Sequence, residues 1–185
     1  MARPKPDQTG DVGLDLVGGH GRDDVVHTRV LERRWVQLLR GARHCRTQGG
    51  KTTRYWWGDD APTRLVENLT GEKDVSRNKR QWATAFEDYG DRYWGPAPVG
   101  SFEPNPFGLH DIGGNVSEWT MDCWHDTYLR APTDGSAWVN PGCKLRVIRG
   151  GYWASSPDQS RAAYRVSAQP EHRDARVGFR IARDL

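Results

Sequence analysis

Three oxygen-bearing side chains stand close together in one glycine-rich run. Asp111, Asn115 and Glu118 fall within Gly108-Leu109-His110-Asp111-Ile112-Gly113-Gly114-Asn115-Val116-Ser117-Glu118-Trp119. Gly108, Gly113 and Gly114 permit tight or left-handed backbone. Carboxylate, carboxamide and turn carbonyl oxygens gathered in this way are the hard donors that Ca²⁺ selects. The same residue types also close turns by Asx-type hydrogen bonds with no metal present. The spacing is not that of an EF-hand, so both uses stay open at this level.

Nucleophilic and soft-metal chemistry is sparse. The cysteines are Cys45, Cys123 and Cys143, an odd number with no CxxC pair and so no zinc spacing. Cys123 and Cys143 could form one bridge with Cys45 left over, or all three could be small buried residues. His110 and His125 flank the glycine-rich run and read as local hydrogen-bonding groups; His20, His27 and His44 lie apart from it. No Ser–His–Asp arrangement follows from the spacing.

The elements that would position these residues are short. Gly 21 and Pro 11 among 185 residues describe a loop-rich chain. Leu, Ile, Val and Phe together number only 32, while Trp is 9, so the tryptophans are expected to take over core burial from the missing aliphatics. A coiled coil, a helical bundle and a collagen are excluded. No apolar run approaches the ~20 residues of a membrane span. Residues 1–27 read as a mobile arm or one stray strand. Val30, Leu31, Trp35, Leu38 and Leu39 recur at helical spacing, with Thr28 as N-cap and Gly41 as stop. The arginines of that helix read as a solvated face, and no nucleic-acid partner is expected. Tyr55-Trp56-Trp57-Gly58 reads as a buried strand ending in a turn, and 78–87 as a short helix around Trp82 and Phe86. Further strands are expected at 97–102, 116–120, 145–153, 161–166 and 177–182. The N-terminal Met1–Gln8 has no apolar core of a secretory signal, so the default expectation is a cytoplasmic location, with export by another route open.

The run from Gly108 to Trp119 resembles the GL-x-[DN]-[IM]-x-GNV-x-EW signature of the formylglycine-generating enzyme (sulfatase-modifying factor) family. Tyr55-Trp56-Trp57-Gly58-Asp59, Arg149-Gly150-Gly151-Tyr152-Trp153 and Val177-Gly178-Phe179-Arg180 resemble three further family segments in the same order. The resemblance covers about residues 35–183. It implies an α+β domain over 28–185: the family's irregular variant of the C-type lectin-like fold. It also implies structural Ca²⁺ at two places. One set is the side chains of Asp111 and Glu118 with the carbonyls of Gly114 and Val116. The other is Asn68, Leu69, Asp91 and Tyr93. The family's N-terminal segments have no match in residues 1–27, which reads as a shortened or divergent start.

The pattern breaks at one chemically decisive place. The enzymes of the family hold Cu(I) on two cysteines after the RGG segment, and the matching positions here are Ser155 and Ser160. Hydroxyls do not suit Cu(I), so no copper is expected and the reading leans away from an enzyme. Residues 149–180 instead resemble the variable region of diversity-generating retroelement target proteins, which end in the same frame. Tyr, Ser, Ala, Asp, Val, His and Arg alternate there with Gly, Trp and Arg framework positions, and neither Asn nor Lys follows Lys144. Tyr and Ser suit a binding face on a rigid scaffold. The expected activity is therefore non-catalytic binding of a protein or cell-surface glycan, with Tyr152, Trp153, Ser155, Tyr164, Ser167, His172 and Arg176 as contacts. Formylglycine generation, or a degenerate member of that family, is the alternative, and an oligomer is compatible with either. The net charge of +3 divides unevenly. Residues 144–185 carry +5, and 55–143, with the calcium candidates, carry −7.

Overall fold

The structure, a computed structural model, describes residues 52–133 and 136–180. The expected arm, the expected helix after Thr28 and Cys45 lie outside the described residues. Four strands form one sheet: β1 (Ser117–Cys123), β2 (Arg146–Arg149), β3 (Arg165–Ala168) and β4 (Val177–Gly178). Their order is β3-β2-β1-β4. β2 runs antiparallel to both β1 and β3, and β4 lies parallel to β1. The register of β1 against β2 shifts between Trp119 and Cys123. Four of the expected strands thus appear, at 117–123, 146–149, 165–168 and 177–178.

Other expectations are corrected. No helix occurs among the described residues, so the helical half of the α+β reading is not met there. The 78–87 segment is irregular. Lys79 and Asp88 take left-handed backbone (φ 58° and 56°) at its two ends. Trp82 stacks on Trp94, whereas Phe86 packs edge-on to Tyr55 in the core. Residues four apart on a helix share a face and could not serve two separate clusters. The 97–102 segment is a turn, with Gly100 at φ 74° and the Ser101 hydroxyl donating to the Pro98 carbonyl. Tyr55–Gly58 closes on itself through two reciprocal backbone hydrogen bonds, so the expected strand there is a turn as well.

The core is Tyr55, Trp56, Val66, Leu69, Phe86, Tyr89, Leu109 and Ile112. Trp56 is the only described tryptophan that is fully buried; the others are half-buried. The expected tryptophan core is therefore an aromatic shell around a smaller mixed core. Trp57 stacks on Tyr55 at 4.7 Å, and His125 stacks on Trp138 at 3.5 Å. Cys123 and Cys143 are joined by a disulfide that closes the loop between β1 and β2.

Candidate functional site

The glycine-rich run is organised by a residue the motif does not contain. Glu67 is 1 % exposed, and its Oε1 accepts N–H bonds from Trp56 Nε1 (2.7 Å), Ile112 (3.1 Å) and Gly113 (3.1 Å). One carboxyl oxygen thereby ties the Tyr55–Gly58 turn to the signature run. Its Oε2 is buried with no hydrogen-bond partner. Burial, reinforced by the Asp111 charge, pushes the Glu67 carboxyl up to about 8, so it holds a proton at neutral pH. The only signal for it in the sequence is an acid set between Val66 and Leu69, two residues that both prove buried.

The run itself folds through left-handed residues at Asp111 (φ 55°) and Asn115 (φ 64°), a conformation that Asn and Asp tolerate best among non-glycine residues. The Asn115 carboxamide pairs with both backbone groups of Ala97, and its N–H donates to the Asn68 carbonyl at 2.9 Å. Gly114 has to be glycine, because a Cβ there would sit 2.4 Å from that same Asn68 carbonyl oxygen. Asp111 Oδ2 accepts from Gly100 N–H at 2.8 Å, while Oδ1 is buried without a partner. Glu118 is 6 % exposed and meets Arg180, whose Nε lies 2.7 Å from both carboxylate oxygens. Arg180 also donates to the carbonyls of His110 and Asp111. The terminal arginine of the Val177–Arg180 segment therefore locks the signature run. Glu118 is delivered to that guanidinium, and only Asp111 of the two expected acids keeps an oxygen unengaged.

In the second expected donor set, Asp91 holds the backbone of Leu69 and Tyr93. Asp91 Oδ2 accepts from Leu69 N–H at 2.7 Å and Oδ1 from Tyr93 N–H at 2.8 Å. The Asn68 amide donates to the Gly95 carbonyl, and its Oδ1 is buried and unpartnered. Burial pushes the Asp91 carboxyl up to about 7, with the neighbouring Asp74 charge adding to it against the two backbone hydrogen bonds. Among the described residues, no three His, Cys, Asp or Glu side chains gather into a metal-binding group.

The C-terminal segment divides into inward and outward residues. Ser155 is 2 % exposed; its hydroxyl accepts from Tyr152 N–H at 3.0 Å and its carbonyl accepts from the Thr70 hydroxyl at 2.7 Å. Ser160 is also 2 % exposed, with its hydroxyl donating to the Ser156 carbonyl at 3.2 Å. Ser155, expected as a contact, is thus a turn-closing residue off the outer face. Trp153 is half-buried, held by its N–H to the Asn115 carbonyl and packed at 5.7 Å from Trp82. Tyr152, also half-buried, is covered by the Arg176 guanidinium at 5.2 Å. Arg176 makes a two-pronged ion pair with Asp174 at 2.9 and 2.7 Å, and His172 Nε2 lies 4.0 Å from the same carboxylate. That pairing holds the Asp174 carboxyl down at about 2. The Arg176 carbonyl accepts from Ser117 N–H, which pins this group to β1. Tyr164 and Ser167 lie elsewhere, Tyr164 before β3 and Ser167 exposed on β3 itself.

Comparison with known proteins matches this arrangement. Residues 35–185 match the sulfatase-modifying factor enzyme 1-like domain. The formylglycine-generating enzyme of Thermomonospora curvata is 32 % identical over 168 residues, covering 83 % of this chain and 48 % of that protein. The serine/threonine-protein kinase pkn1 of Chlamydia pneumoniae is 37 % identical over 89 residues, which are 47 % of this chain and 14 % of that one. The chain thus spans less than half the length of these curated relatives. Among solved structures, PvdO from Pseudomonas aeruginosa is similar with a TM-score of 0.50 and 38 % identity, over 66 % of this chain and 52 % of PvdO. Treponema denticola variable protein 1 gives 0.44 and 29 %, over 63 % and 46 %. The signature run, its arginine lock and the family match over 35–185 together place this chain in the formylglycine-generating enzyme (sulfatase-modifying factor) family, with that family's C-type lectin-like fold.

Proposed function

We propose that the chain is a non-catalytic ligand-binding member of this family, displaying outward residues of 152–176 to a protein or glycan. The observation that carries this reading is the division of that segment. Its two family cysteine positions are serines with hydroxyls turned inward, while His172 and Arg176 are exposed and Tyr152 lies half-buried under Arg176, on a backbone pinned to β1 and the signature run. A fixed backbone with variable outward side chains is what a diversified binding face requires. We further propose that retroelement-driven variation of the coding segment for 149–180 generates that face. Structural Ca²⁺ belongs to the same reading. What supports a hard cation at the second set is the unpartnered Asn68 Oδ1 and the Asp91 carboxylate, whose oxygens each accept one backbone N–H and keep a further lone pair. At the signature run the fit rests on Asp111 Oδ1 and the Gly114 and Val116 carbonyls, because Glu118 is engaged by Arg180.

The second reading, formylglycine generation, is favoured by the curated enzyme relatives. One experiment separates the two. The purified chain, supplied with Cu(I), oxygen and a thiol reductant as the source of the two further electrons, is incubated with a sulfatase-type cysteine peptide and followed by mass spectrometry. No conversion is expected, and turnover would overturn the binding reading. A near-copy of the 149–180 coding segment beside a reverse transcriptase, differing only at adenines, is the expected genomic result; its absence would remove the retroelement part.

A further inference from the structure

Two arginines share one face of the sheet without an acid between them. Arg149 on β2 and Arg165 on β3 are directly opposed in antiparallel register. Directly opposed side chains meet on the same face, where like charges repel. Arg149 is 7 % exposed; its guanidinium donates to the Ala162 carbonyl and the Tyr128 hydroxyl, and its Nε is buried with no partner. The acid that the β1–β2 register sets opposite Arg149 is Glu118, whose carboxylate is taken by Arg180. Arg165 lies between two rings, 4.2 Å from Trp124 and 4.4 Å from Tyr128. It donates to the Asp126 carbonyl, while the Asp126 carboxylate accepts from the Trp124 indole N–H. Among the described residues, neither guanidinium has a carboxylate partner.

A desolvated cation with no counter-charge is costly, and a guanidinium fork matches the oxygens of carboxylate, phosphate and sulfate groups. We propose that Arg149 and Arg165 form an oxyanion-binding site, with Tyr128 as a third donor. The Tyr128 hydroxyl accepts from Arg149 and so keeps its own proton to donate. Its ring covers Arg165, so the same side chain forms one wall of the site. The +5 charge of residues 144–185 draws anions to this end of the chain. The site uses none of the residues of the Tyr152–Arg176 group and does not depend on the ligand reading above.

The test uses the full 185-residue chain with sodium sulfate, phosphate and acetate, each against sodium chloride at equal ionic strength. At least one oxyanion is expected to raise the melting temperature above the chloride control and to give saturable one-to-one binding by calorimetry. A response to sulfate or phosphate assigns a tetrahedral ester group, and a response to acetate alone assigns a carboxylate; either supports the site. Arg165→Gln and Tyr128→Phe, whose side chains are half-buried, should each weaken that binding by about tenfold while the fold survives. Arg149→Gln should abolish it. The proposal is overturned if no oxyanion exceeds chloride, or if Arg165→Gln and Tyr128→Phe bind with unchanged affinity.

Discussion

The signature region and the C-terminal segment use the same residue types in opposite ways. Around the signature run, carboxylates are buried and their pKa values are raised: Glu67 to about 8 and Asp91 to about 7. In the C-terminal segment the Asp174 carboxylate sits at the surface against Arg176 and is lowered to about 2. Desolvation rules the first region, and a charged hydrogen bond rules the second. Buried polar groups specify a single backbone path, because each unmade bond is expensive. Surface polar groups specify little backbone and leave side chains free to change. The first region is therefore a frame, and the second is the surface to which the proposed binding is assigned.

The largest break in this comparison should come from Arg180→Ala. It strands the Glu118 carboxylate, which is 6 % exposed, and removes three donors from the His110 and Asp111 carbonyls. Losing one partner of a buried pair costs about 3–5 kcal/mol. Urea unfolding should show a loss of that size; a loss below ~1 kcal/mol would erase the distinction between frame and surface. Cys143→Ser comes next. It opens the loop between Cys123 and Cys143, a sequence separation of 20, and should cost about 3 kcal/mol in the same measurement.

pH sharpens the contrast without a mutation. Glu67 and Asp91 have folded values raised above their ordinary 4.5 and 3.8, so the folded state holds protons the unfolded state has released. Their contribution is fully present below those ordinary values and is lost as pH rises through about 7 to 8. Asp174 runs the other way: its contribution is present above 3.8 and is lost as pH falls through about 2. Thermal melts with chelator present should therefore fall between pH 5 and 8, and Glu67→Gln should flatten part of that slope. Added Ca²⁺ should oppose the fall if Asp91 is a ligand, because a cation favours its ionised form.

How much of this was legible in the sequence follows the same division. Of the five β-rich segments, 116–120, 145–153, 161–166 and 177–182 overlap strands, because β-rich runs between glycine turns carry their own signal, whereas 97–102 is a turn. The Asn68–Leu69–Asp91–Tyr93 set is legible only through the family resemblance; Leu69 and Tyr93 meet Asp91 through their backbone N–H groups, while the Asn68 amide turns to Gly95. Glu67 is barely legible: its place between Val66 and Leu69 hints at burial, but nothing local says that it binds N–H groups 45 and 46 residues away. The 78–87 segment departs from the helix its spacing predicts because Trp82 and Phe86 serve two different aromatic clusters. Ser155 was misassigned for a related reason. Alternation of residue types along 152–176 does not say which hydroxyl turns back to close the Tyr152 turn.

That last error yields the finest test, a comparison of two serines within one segment. Ser155 Oγ accepts from Tyr152 N–H in a site that is 2 % exposed, so Ser155→Ala leaves a donor unmet and should cost about 1 kcal/mol. Ser167 is exposed on the outer strand β3, and Ser167→Ala should stay within ~0.5 kcal/mol. Binding should rank differently from stability. If the outward face carries recognition, Ser167→Ala changes affinity for a selected ligand while leaving unfolding unchanged, and Ser155→Ala lowers stability in proportion to any affinity it costs. Equal stability losses at both positions would mean that the segment packs as a whole and has no separate outer face.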